Sequence, residues 1–121
     1  MRVKEVLIKI EGLEEAGKRV AEVYNKTKAG KKIASEEILA FENLEALRRV
    51  LTSRRISLLR IVRAKKPKTI YALAKLANRA YPNVFQDVKI LEELGLIALE
   101  EDNNGLEPIA KYNALKITIS V

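Results

Sequence analysis

Between Thr52 and Gly95 the chain writes out start and stop signals for three consecutive helices, and no other feature restricts its fold as tightly. Thr52 is placed to cap a helix from Ser53 to about Ala64, because its hydroxyl can accept from a first-turn amide that has no partner inside the helix. Pro67 cannot continue that helix. Thr69 then caps a second helix, Ile70 to about Ala77, and a tight turn runs from Asn78 to Tyr81. Pro82 opens a third helix where its missing N–H would be unpaired anyway, and Gly95 supplies the left-handed residue that ends it. Each helix carries one apolar stripe for a shared core: Ile56, Leu59 and Val62; Ile70, Leu73, Ala74 and Ala77; Val84, Val88, Leu91 and Gly95, with Leu94 at the edge.

The flanks read as short strands and helices. Val6, Ile8 and Ile10 alternate with Leu7 and Lys9, the pattern of a strand with one buried face. Leu13, Ala16, Gly17, Val20, Val23, Tyr24 and Thr27 follow at helical spacing, a helix ended near Gly30, so residues 1–41 form a βα extension. A polar stretch through Lys31, Lys32 and Ser35 precedes a short strand, Ile38 to Phe41, and Asn43 caps a helix from Leu44 to Leu51. Beyond Gly95, Leu96 to Glu100 and Ala110 to Tyr112 read as two strands joined around Asn104-Gly105, a dipeptide that favours a type I′ hairpin turn. Leu115, Ile117, Ile119 and Val121 alternate with polar residues as a last strand.

The order helix, helix, turn, helix, hairpin is that of a winged helix-turn-helix. The expected fold is therefore α+β: a winged helix-turn-helix domain over 42–121, closing on a strand, with the strand-helix extension 1–41 as a dimerisation or partner-binding element. The phrases LTSRRISLLRIV and TIYALAKLANRAYPNVFQDVKILEELGLIALEE carry a resemblance across roughly residues 41 to 102. They resemble the small prokaryotic winged-helix regulators of the MarR-like type, in particular a DNA-binding family of about this length with SIYELA followed by NVxxDVxxLEELGLI. The resemblance implies a dimeric transcriptional regulator. Some similar proteins sit beside toxin genes and look like antitoxins.

Charge points the same way. From Arg48 to Arg79 there are eleven Lys and Arg residues and no Asp or Glu, whereas residues 1–47 carry nine of each sign. Lys/Glu networks of a solvated surface interleave both signs, and this stretch does not. Clustered cations of this kind release counterions from phosphates, so a polyanion is the expected partner. From Glu92 to Glu107 the sign reverses, with six acids and no base.

Cysteine and histidine are absent, which excludes disulfides, Cys/His zinc sites and an imidazole base. The adjacent pairs Glu14/Glu15, Glu36/Glu37, Glu92/Glu93 and Glu100/Glu101 diverge by about 100° on a helix or point to opposite faces of a strand, so none looks like a catalytic acid and base. The five glycines stand singly, without a phosphate loop. No enzyme activity, metal or cofactor is expected. No apolar run approaches the roughly 20 residues of a membrane span, and Val6 to Ile8 is too short for a signal peptide, so a cytoplasmic protein is expected.

On the third helix the core stripe leaves Pro82, Gln86, Lys89 and Glu93 on the opposite face, with Phe85 flanking and Asn83 in the first turn. Asn83 and Gln86, the only glutamine, suit adenine; Lys89 suits guanine or phosphate; Phe85 suits a thymine methyl; Pro82 lies beside them. The alternative is that Asn83 caps the helix and Phe85 packs on the preceding turn. Lys68, Thr69 and Tyr71 at the start of the second helix, with Arg54, Arg55, Lys75 and Arg79, are the expected phosphate contacts. The hairpin acids Glu100, Glu101, Asp102 and Glu107, offset only by Lys111, are unlike a groove-probing wing: either the wing stays off the minor groove, or the acids meet a basic patch on a second subunit or another protein. The leading expectation is a homodimer on double-stranded DNA; an antitoxin-like module gripping a toxin-like protein is the second. RNA binding is disfavoured, because the two Phe and four Tyr fall mostly at core-like positions rather than on a stacking platform.

Overall fold

The structure, a computed structural model, describes residues 4–11, 31–33 and 38–121. Within these it is α+β, with four helices and two small sheets, and it divides into two compact units: Met1–Leu51 with Tyr112–Val121, and Thr52–Lys111. The expected helix spanning Leu13 to Thr27 lies outside the described residues.

Among its described residues the first unit holds a four-stranded sheet and one helix. Strands β1 (Glu5–Ile10), β2 (Lys31–Ile33), β3 (Ile38–Phe41) and β6 (Ala114–Ile119) are ordered β2-β3-β1-β6. β1 is parallel to both neighbours, with Ile8 opposite Leu39 of β3 and Ile117 of β6; β2 runs antiparallel to β3. Val6, Ile8 and Ile10 are buried along one face of β1, and all four residues of β3 are buried, as a strand covered on both faces requires. Helix α1 (Leu44–Val50) begins where Asn43 Oδ1 accepts from Ala46 N at 2.8 Å.

Two features differ from the sequence reading. β2 was read as polar loop, since two of its three residues are lysines and three residues are too few for an alternation. The closing strand, counted with the 42–121 domain but expected to pair with the first strand or across a twofold axis, pairs as β6 along its whole length with β1, which places it with the N-terminal residues. Local alternation identifies a strand and says nothing of its neighbour.

The second unit holds α2 (Ser53–Lys65), α3 (Ile70–Ala77), α4 (Tyr81–Glu93) and the hairpin of β4 (Ile97–Asp102) and β5 (Gly105–Ala110), a winged-helix-like arrangement. Thr52 Oγ1 accepts from Arg55 N at 3.2 Å, and Thr69 Oγ1 from Ala72 N at 3.0 Å. Asn78 ends α3 at φ 55° and Gly95 follows α4 at φ 80°. Leu58, Val62, Leu73, Val84, Val88, Leu91, Leu96 and Ile97 form the core.

The inward stripe of α2 is turned from the expected one. Leu58 and Val62 are buried while Ile56 and Leu59 are only half-buried, so the stripe runs Arg55–Leu58–Val62. A hydropathy pattern cannot place an arginine there. The hairpin turn also differs from type I′: Asp102 pairs with Gly105, leaving Asn103 and Asn104 as the loop, and positive φ in this turn belongs to Gly105 alone. Asp102 Oδ1 accepts from Asn104 N at 2.8 Å, an aspartate-led turn that removes the need for a left-handed asparagine.

Candidate nucleic-acid interface

The candidate surface is built on α3 and α4 of the second unit. Val84, Val88 and Leu91 are fully buried and fix how α4 is rotated, which leaves Pro82, Asn83, Gln86 and Lys89 exposed. The N-cap of α4 is Ala80, with no side-chain hydrogen bond, so capping is not what Asn83 does. Lys89 Nζ lies 3.0 Å from Glu92 Oε1. Phe85 is half-buried against Tyr81, their ring centroids 5.9 Å apart, which fits the alternative that it packs on the preceding turn.

The expected phosphate contacts separate into two groups. Arg54, Lys68 and Lys75 are exposed, as are Arg60, Arg63, Lys65 and Lys66. Arg63, Lys66 and Lys68 line a cleft of about 390 Å³ beside Pro108, with Lys68 Nζ 3.8 Å from Glu107 Oε2. Thr69 uses its hydroxyl as the cap of α3 and is half-buried. Tyr71 is 60% exposed.

Arg55 and Arg79 turn inward. Asp87, buried on α4, receives Arg55 Nε at 3.0 Å on Oδ1 and Arg79 Nη2 at 2.9 Å on Oδ2. The side chains of Arg55 and Arg79 are only 17% and 19% exposed. Their expected role as phosphate contacts is replaced by a structural one: two guanidiniums share both oxygens of one carboxylate and tie α2 and the α3–α4 turn to α4. Asp87 was missed in the sequence reading. The available signal was position, since it is the single acid between Glu45 and Glu92, inside an inward helical stripe.

The aromatic side chains are less buried as a set than expected, although Tyr71 already stood among the expected surface contacts. Phe41 and Tyr112 are buried, but Tyr71 and Tyr81 are exposed and form a row with Phe85, with centroid steps of 6.4 and 5.9 Å. Lys75 Nζ lies 5.1 Å from the centre of the Tyr71 ring. Tyr24 lies outside the described residues. The hairpin end is acidic as expected, with Glu100, Glu101 and Asp102 exposed. Among the described residues no helix is long and apolar enough to cross a membrane.

A family model described as HVO_A0114 matches residues 50–117, more than half of the chain, and the chain belongs to that family. No curated protein and no solved structure matches it.

Proposed function

We propose that this member of the HVO_A0114 family is a cytoplasmic transcriptional regulator. On this reading a winged helix-turn-helix of the MarR-like type binds double-stranded DNA sequence-specifically, and a homodimer occupies an operator. The observation that carries the reading is the outer face of α4, where Asn83, Gln86 and Lys89 stand exposed on a helix whose opposite face is locked in the core. Such a face fits a major groove, where amide side chains can pair bidentately with adenine. The exposed cations of α2 and α3 supply the sequence-independent part of the affinity. No cofactor and no catalytic group enter this reading. Random-site selection on the full chain should return a base-preference logo, and a flat logo would overturn sequence-specific binding.

Two substitutions separate base reading from phosphate binding. Gln86→Ala and Asn83→Ala should each weaken the selected site by about 1–3 kcal/mol while leaving random duplex nearly unaffected. Competition titrations measure both, and equal losses on the two duplexes would remove α4 from base contact.

Salt dependence tests the phosphate face. With on the order of six phosphates neutralised per bound unit, log K should fall against log salt with a slope near −0.9 times that number. Arg54→Ala should make the slope shallower by about 0.9. A slope unaltered in this variant would take Arg54 off the phosphate surface.

The second reading, an antitoxin-like module that binds a partner protein and regulates its own promoter, is favoured by the exposed acids at the hairpin end. A basic patch on a toxin-like protein is their natural complement.

A further inference from the structure

We propose that the Tyr71–Tyr81–Phe85 row reads thymine C5-methyl groups in the major groove, so that the chain prefers duplexes with a short A·T tract under this row. The inference rests on the duplex-binding reading and deepens it by naming the sequence class.

Three observations carry it. First, Tyr71 is 60% and Tyr81 43% exposed and their rings contact one another, while the half-buried Phe85 supports Tyr81 from the next turn, so the row presents aromatic surface outward. Tyr71 lies in the first turn of α3, while Tyr81 and Phe85 lie in the first two turns of α4. These are the helix ends that a helix-turn-helix brings to DNA.

Second, the surroundings are cationic. Lys75 sits over Tyr71, and the stretch from Arg48 to Arg79 contains no acid. An apolar strip with positive charge beside it complements a groove whose walls are phosphates. The one apolar group on that groove's floor is the thymine methyl.

Third, the ring geometry favours methyl contact over stacking on unpaired bases. Neighbouring rings are tilted by 46° and 31°, so no parallel-walled slot exists to hold a base between them. The centroid steps of 6.4 and 5.9 Å spread the ring surface over more than one base-pair rise of about 3.4 Å. A row set along the groove can therefore reach methyls of more than one base pair. Phe85 has no hydrogen-bonding group with which to read a base edge, which leaves apolar contact as its means of discrimination.

The test is a pair of alternating A·T duplexes, identical except that one carries uracil in place of every thymine. Charge and hydrogen-bonding edges are the same in both; only the methyls are missing. By fluorescence anisotropy at one salt concentration, the intact chain should bind the thymine duplex more tightly, by about fourfold for each methyl buried. Tyr81→Ala should bring the thymine-to-uracil ratio toward one, with a urea midpoint like that of the parent chain showing that the fold is retained. Equal affinity of the parent chain for the two duplexes, at a measurable level, overturns the methyl reading and leaves duplex binding standing. A ratio unaltered by Tyr81→Ala, in a folded variant, removes the row from the contact. Absence of binding to any duplex, the random-site pool included, overturns the underlying function and this inference together.

Discussion

Asp87→Ala is expected to lower the stability of the Thr52–Lys111 unit by about 3–5 kcal/mol, because removing one member of a buried ionic cluster leaves the others uncompensated. Two guanidiniums lose their shared carboxylate at once, at 3.0 and 2.9 Å, with little solvent to take its place. Whole domains are stable by only about 5–15 kcal/mol, so the loss removes a large share of that margin and should lower the midpoint of unfolding markedly. Urea denaturation followed by circular dichroism measures the loss. Replacing all three members together, Arg55→Met, Asp87→Leu and Arg79→Met, should recover most of the stability, since an apolar set of similar volume has no charge to desolvate. A loss below about 0.5 kcal/mol in Asp87→Ala, the range of an ordinary surface substitution, would show that the cluster does not hold α4 in place.

Lysine at both Ile117 and Ile119 is expected to convert a dimer into a monomer. β6 is an edge of the described sheet, and its apolar residues are only partly covered: Ile117 is 52% and Ile119 51% exposed. An edge strand presents unpaired backbone groups that invite a further strand. A twofold axis normal to the sheet keeps each side chain on its own face, so two antiparallel copies of β6 can pair only residues of like parity. Leu115, Ile117, Ile119 and Val121 would then meet their own kind, in cross-strand pairs that stabilise a sheet. Two lysines from each chain would set like charges against one another along the same line. Light scattering should give a dimeric mass for the parent chain and a monomeric mass for the double variant. A DNA carrying two half-sites should lose its advantage over one carrying a single half-site. A monomeric parent chain, or a dimer that survives both lysines, would separate β6 from assembly.

The pairing of β6 also sets where the chain can be cut. Removing residues 1–41 would delete β1 and leave β6 without the partner it matches from Glu5↔Ala114 to Ile10↔Ile119. The contact boundaries place the cuts at Leu51 and Tyr112 instead, on either side of the second unit.

What the sequence determined by itself was local. Thr52, Thr69 and Asn43 accept from the first turns they precede, Gly95 takes the left-handed conformation after α4, and Val84, Val88 and Leu91 point inward. Each of these follows from interactions spanning only a few residues, which spacing and residue type encode directly. The exposed face of α4 was legible for the same reason, being the complement of its apolar stripe. What only the tertiary structure decided was which distant groups meet. Arg55 and Arg79 looked like every other cation of an acid-free stretch until Asp87, 32 residues beyond Arg55, was placed between them. Tyr71 stood among the expected phosphate contacts and Tyr81 in a turn, but only the packing of α3 and α4 decided that their rings meet one another outside the core. β6 was expected to pair with β1 or across a twofold axis, and only the tertiary structure decided for β1, in parallel. Long-range contacts of this kind depend on how complete elements pack. A charge or an aromatic ring carries no mark in the sequence of whether it will face a partner or solvent.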